Sequence, residues 1–94
     1  MIIEGMMGTK EDFLSASEKV QKLKARPNNE ELLQLYGWYK QATVGDATGK
    51  RPGFLDIAGR KKFDTWLSCK GMSSDKAMAL YIALVGELVL KYGT

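Results

Sequence analysis

Tyr36-Gly37-Trp38-Tyr39-Lys40-Gln41-Ala42-Thr43-Val44-Gly45-Asp46 sets three aromatic rings and a cation close together, then breaks at a glycine. In a helix, Tyr36 and Tyr39 stand three residues apart and Tyr36 and Lys40 four apart, so the three side chains share a face. Two phenol rings beside an ammonium suit a planar, anionic ligand of nucleotide type. The rings offer a stacking surface and the cation a partner for phosphate. A helix whose tyrosines line a core while their hydroxyls reach water shows the same stripe. The local pattern leaves both readings open.

Working outward, helix signals recur on both sides. Asn28-Asn29-Glu30-Glu31 opens the helix that carries the stripe, with Leu32, Leu35, Tyr36, Tyr39 and Thr43 on one face and Leu33 and Lys40 flanking it, and Gly45 ends it. Upstream, Thr9-Lys10-Glu11-Asp12 starts a first helix with acids in its opening turn, where the helix dipole favours them. Phe13, Ser17, Val20 and Leu23 follow at helical spacing, and Pro27 requires the helix to end before it. Downstream, Arg60 to Leu67 reads as a short third helix with Phe63, Trp66 and Leu67 on its apolar face, stopped by Gly71. Ser73 or Ser74 caps a fourth, in which Ala77, Leu80, Tyr81, Leu84, Val85 and Leu88 form a stripe running to about Tyr92. No segment alternates with a period of two, so the spacing predicts an all-α chain of four helices.

Residues 45–58 interrupt this regularity. Gly45, Gly49, Pro52 and Gly53 exclude a regular element, and Phe54, Leu55 and Ile57 are expected to pin the loop to the body. Gly45-Asp46-Ala47-Thr48-Gly49-Lys50 echoes a phosphate-binding loop, but it is one residue short, has Arg51 where Ser or Thr is needed, and follows a helix rather than a strand.

Composition narrows the function. The 94 residues make one small domain with a net charge of +3, mild for a dedicated nucleic-acid binder. With no histidine and one cysteine, Cys69, there is no disulfide, no triad base and no zinc ligand set, and a reducing compartment, hence a cytoplasmic location, is the expectation. The carboxylates fall in first turns and on solvent faces rather than in a catalytic pair. No apolar run approaches the roughly 18 residues of a membrane span. Residues 1–8 lack a basic n-region and read as a flexible extension preceding a domain over residues 9–94. Binding is what remains. Lys50, Arg51, Arg60, Lys61 and Lys62 lie in a segment whose only acid is Asp56, an anion site in combination with Lys40 if the third helix packs near the second.

The stripe from Tyr36 to Asp46, followed by Arg51-Pro52-Gly53, Leu55-Asp56, Gly59, Lys62, Asp64, Trp66, Lys70-Gly71, Ala77-Met78 and Tyr81-Ile82, resembles the acyl-CoA-binding protein family from about Asp12 to Gly93. The resemblance implies an up-down-down-up four-helix bundle whose second and third helices are joined by a long crossing loop. It also implies a non-enzymatic, cytoplasmic carrier of medium- to long-chain acyl-CoA esters, monomeric and without a cofactor. Expected partners are the esters and the enzymes that use them, with neither nucleic acid nor stable membrane insertion involved. By resemblance the CoA headgroup falls to Tyr36, Tyr39, Lys40, Lys62 and Tyr81: Lys40 and Lys62 on phosphates, Tyr39 stacked on adenine, and the Tyr36 and Tyr81 hydroxyls near phosphate or thioester. The acyl tail is expected in a groove near Phe13 and Leu33. Two positions depart from the family pattern. Gln21 stands where a lysine is usual, with Lys22 turned about 100° away, and Ser17 stands where alanine is usual, tolerable if its hydroxyl bonds back to a helix carbonyl. The alternative is a helical protein-interaction module using the tyrosines as anchors.

Overall fold

The computed structural model describes residues 9–94; the extension expected over residues 1–8 lies outside the described residues. Four α-helices follow in order: α1 (Thr9–Lys19), α2 (Asn29–Thr43), α3 (Ile57–Leu67) and α4 (Ser74–Tyr92). The described residues contain no strand. The architecture is an up-down-down-up bundle with a long crossing connection between α2 and α3, as expected.

The helix boundaries follow from local chemistry. α1 tightens into a 3₁₀ turn over Val20–Lys22, and Leu23 is already extended, so the helix ends well before Pro27, which is itself buried. Asn28 and Glu31 form a reciprocal capping box: the Glu31 N–H donates to Asn28 Oδ1 at 2.8 Å and the Asn28 N–H to Glu31 Oε1 at 2.9 Å. Glu31 also accepts from Lys91 (2.9 Å) and Tyr92 (2.8 Å), so one carboxylate closes the start of α2 and ties down the end of α4. Ser73 caps α4 through the Lys76 N–H.

α4 packs against both α1 and α2, and α3 packs on α2. The core joins Phe13 and Ala16 of α1 to Leu35 of α2 and to Tyr81, Leu84, Val85 and Leu88 of α4. The fourth-helix stripe is therefore as expected, except that Leu80 is only half-buried. On the other side, buried Gly37 lets α3 come close, for a Cβ there would stand 2.9 Å from Thr65 Cγ2.

The crossing loop departs from expectation in two ways. α3 begins at Ile57, three residues early, because the Asp56 carboxylate accepts from the Gly59 N–H and caps it. Phe54, Leu55 and Ile57 do not pin the loop; they are 75%, 85% and 64% exposed. Polar ties hold it instead. Arg51 grips Asp64 with two hydrogen bonds (2.8 and 2.7 Å), Arg60 donates to the Pro52 carbonyl (3.0 Å), and the Trp66 indole donates to the Gly45 carbonyl (2.7 Å). At the loop's start, Asp46 accepts from the buried Gln41 amide (2.8 Å) and from the Gly71 N–H (2.9 Å), and the same amide reaches the Met72 carbonyl (2.9 Å). These bonds hold the Asp46 carboxyl below the usual range, the Gly71 N–H first and the Gln41 amide second. A cavity of about 440 Å³ beside them is lined by this anchoring set and lies apart from the tyrosines of the stripe.

Candidate functional site

The stripe on α2 splits, because α2 lies between α4 and α3: Tyr36 and Tyr39 share a cleft, and Lys40 is drawn away from it to Trp66 of α3. Tyr39 turns to the α4 side. Its ring is stacked with Phe13 (centroids 5.4 Å, 25°) and tilted against Tyr81 (5.8 Å), while Phe13 meets Tyr81 edge-on at 5.0 Å. Phe13, 4% exposed, is the buried brace behind the two tyrosines rather than part of a tail groove. Tyr39 is 42% exposed, so it has ring surface free for a ligand. Tyr81 is buried, which raises its phenol above the usual value, with Tyr39 adding a smaller push; the hydroxyl stays neutral and able to donate.

Tyr36, Tyr39 and Tyr81 line one open cleft of about 360 Å³, together with Val20, Gln21, Pro27, Leu32 and Leu35. Among the described residues, none that lines it is charged. A cation reaches its edge from α3, where Lys62 Nζ sits 5.6 Å from the centre of the Tyr36 ring. Lys62 also lines a second cleft of about 500 Å³, with Arg26, Asn29, Leu32, Leu33, Ile57, Ala58 and Lys61. Leu32 lines both clefts, so they meet at that side chain. One is aromatic and apolar; among the described residues the other combines aliphatic side chains with three cations and no carboxylate.

Four of the five expected site residues are thus brought together: Tyr36, Tyr39 and Tyr81 in the first cleft, and Lys62 above Tyr36. Lys40 is apart. It lines neither cleft and lies over the Trp66 ring at 4.9 Å. Gln21, on the 3₁₀ turn, does face the first cleft, whereas Lys22 does not line it. Ser17 bonds back to the Leu14 carbonyl at 2.7 Å, as a hydroxyl in that place requires. Lys61 stood in the basic run expected to form an anion site and Leu32 on the face of the stripe, whereas Arg26 and Asn29 carried no functional signal in the sequence.

The arrangement offers stacking, cation and apolar surface. Among the described residues the only cysteine, Cys69, is buried, which pushes its thiol up and makes it a poor nucleophile. These features define a helical binding domain for a ligand with an aromatic anionic part and an apolar part. Comparison with known proteins agrees. The profile of the family described as acyl CoA binding protein matches residues 10–85. An acyl-CoA-binding protein of Brassica napus is 53% identical over 83 residues, covering 88% of this chain and 90% of that one. The acyl-CoA-binding protein homolog 1 of Caenorhabditis elegans is 47% identical over 81 residues, covering 86% and 94%. The crystal structure of Oryza sativa acyl-CoA-binding protein 2 superposes with a TM-score of 0.87 at 44% identity, covering 93% of this chain and 95% of that one. The chain belongs to the acyl-CoA-binding protein family, a family of binding proteins rather than enzymes.

Proposed function

We propose that the domain over residues 9–94 binds long-chain acyl-CoA esters and carries them, as a monomer in the cytoplasm, to enzymes that use them. The observation that carries this reading is the meeting of the two clefts at Leu32 with Lys62 over Tyr36 at their junction. The adenine stacks on the free face of Tyr39, and the hydroxyls of Tyr36 and Tyr81 donate to phosphate or thioester oxygens. Lys62 leaves the Tyr36 ring for a phosphate, and Lys40 leaves Trp66 for the 3′-phosphate, which bears nearly two negative charges near neutral pH. Exchanging a surface cation–π contact of about 0.5–1 kcal/mol for a charge-assisted hydrogen bond of about 1.5–3 kcal/mol is favourable. The tail lies along Leu33, Ile57 and Ala58 in the second cleft, with Lys61 and Arg26 at its rim. No resident cofactor enters this scheme; the ester is the cargo.

Titration with acyl-CoAs of increasing chain length tests the proposal. Each methylene buried gains about 0.8 kcal/mol, so four more gain about 3 kcal/mol, roughly a hundredfold in Kd before ordering costs. Affinity that stays flat along the series removes the second cleft from the site.

A further inference from the structure

α4 is apolar nearly all the way round: residues 77–90 carry a single charge, Glu87. A helix of that kind belongs inside a protein, and one side of α4 does lie inside, with Ala77, Tyr81, Leu84, Val85 and Leu88 buried. The opposite side is bare. Ala79, Ala83, Gly86 and Leu90 follow at helical spacing and are all exposed, Leu90 by 89%. Beside this strip α1 and α4 leave a groove of about 260 Å³, lined by Ser15 and Ala16 of α1 and by Ile82, Gly86, Val89 and Leu90 of α4. An uncovered apolar strip along an apolar groove marks a contact surface.

The path of the chain and the charges at the groove identify what covers it. α1 and α4 run in the same direction, since Phe13 meets Tyr81 near one end and the Lys24 N–H donates to the Gly93 carbonyl at the other. The groove therefore runs from Asp12 and Ile82 to Lys19 and Leu90, about 12 Å along α4. The chain enters α1 at Thr9, one turn from Asp12. The eight residues before it read Met-Ile-Ile-Glu-Gly-Met-Met-Gly: five large apolar side chains, two glycines and one acid. An extended chain advances about 3.3 Å per residue, so four residues span the groove. Gly8 can take the backbone angles of a sharp reversal.

We propose that residues 2–7 turn back at Gly8 and lie along this groove as a strap, with Met7 against Ile82, Ile3 against Val89 and Leu90, and the Glu4 carboxylate beside the Lys19 ammonium. The same register that brings apolar side chains to the strip brings the segment's one acid to the groove's one cation. Because the strap is tethered to α1, its effective concentration is in the millimolar range and a modest apolar contact keeps it seated. No groove residue lines either ligand cleft, so the strap stabilises the bundle and leaves the ligand site open. The strap stands independently of the carrier reading above.

A thermal double-mutant cycle tests it, with the full chain, a chain lacking residues 2–7, and Leu90→Ser in each. Removing residues 2–7 should lower the melting temperature by about 4–8 °C. Leu90→Ser should lower it by at least about 2 °C in the full chain and by less than about 1 °C in the shortened one, where the strap's contact is already gone. Ile3→Ser, which shortens nothing, should repeat the Leu90→Ser pattern if the shortened chain folds poorly. In methyl NMR spectra of the full chain, Ile3→Ser should shift Ile82, Val89 and Leu90 and leave Leu14 and Leu33, which lie off the groove, in place. Acyl-CoA affinity should be the same in all variants. Equal effects of Leu90→Ser in both chains overturn the proposal, as do Ile82, Val89 and Leu90 methyls that ignore Ile3→Ser. A dimer in ultracentrifugation that Leu90→Ser dissolves gives the groove to a second copy and also overturns it. Loss of acyl-CoA affinity on removing residues 2–7, with the groove methyls unmoved, assigns the segment to the ligand clefts and overturns it too.

Discussion

Lys62→Met is the perturbation that most cleanly separates a ligand cation from a decorative one. Lys62 is exposed and its ammonium lies 5.6 Å from the Tyr36 ring centre, where the two clefts meet. In the complex it is proposed to donate a charge-assisted hydrogen bond to phosphate, worth about 1.5–3 kcal/mol. In the free protein it already gains about 0.5–1 kcal/mol from the ring, and turning to phosphate forfeits that. The difference, about 1–2 kcal/mol, corresponds to a loss of about five- to thirtyfold in affinity for a long-chain acyl-CoA. The substitution removes no buried group, so folding stability should move by no more than about 0.5 kcal/mol. Calorimetric titration at two salt concentrations supplies the assay. Wild type should weaken with salt more steeply than Lys62→Met, because one screened attraction is missing from the variant, and Lys62→Arg, which keeps the charge, should retain most of the affinity. An unchanged Kd in Lys62→Met, with unchanged salt dependence, refutes the placement of phosphate beside Tyr36.

Other perturbations probe the surrounding structure. Lys40→Ala should weaken acyl-CoA binding at least about tenfold if the lysine leaves Trp66 for the 3′-phosphate; an affinity equal to wild type means that Lys40 serves only as a clip between α2 and α3. Gly37→Ala places a Cβ 2.9 Å from Thr65 Cγ2 and should destabilise the fold by about 1–3 kcal/mol in urea titration, with Thr65→Ser in the same chain recovering part of the loss. The hydrogen bond from Lys91, and after it the Asn28 N–H, holds the Glu31 carboxyl below its ordinary value of 4.5. A depressed carboxylate contributes stability that is fully present above that value and is lost as pH falls below it through the folded-state value. Melting temperature should therefore drop below about pH 4.5, and Glu31→Gln, tested by the same melts, should be less stable at pH 7 and show a flatter acid limb.

The helices were legible because their boundaries are written in short-range chemistry. Asn28 with Glu31, Ser73 and Pro27 each act within a few residues, and the α4 stripe has a single buried side. The start of α3 was missed because the Asp56 cap lies inside a glycine-rich run that looks irregular. The loop was misread because an apolar residue in a loop fits a pinned and an exposed position equally well. Its actual ties, such as Arg51 to Asp64 thirteen residues on, look like ordinary surface charges in sequence. The candidate site was legible as a set of residue types: the basic run pointed to Lys62, and the resemblance supplied Tyr81. Its division was not. Helical spacing groups Tyr36, Tyr39 and Lys40 on one face, and Tyr36 and Tyr39 do share a cleft, yet α1 and α4 meet Tyr39 with Phe13 and Tyr81, while α3 supplies Lys62 to Tyr36 and Trp66 to Lys40. Which neighbour claims each side chain depends on packing between distant segments, and no local pattern encodes it.

In the proposed complex one molecule fills both clefts, its nucleotide against the tyrosines and its tail against Leu33 and Ile57. Calorimetric titration with a long-chain acyl-CoA, with free CoA and with the matching free fatty acid tests this most directly. The ester should bind far more tightly than either half. An ester bound no better than free CoA, or no binding of the ester at all, contradicts it.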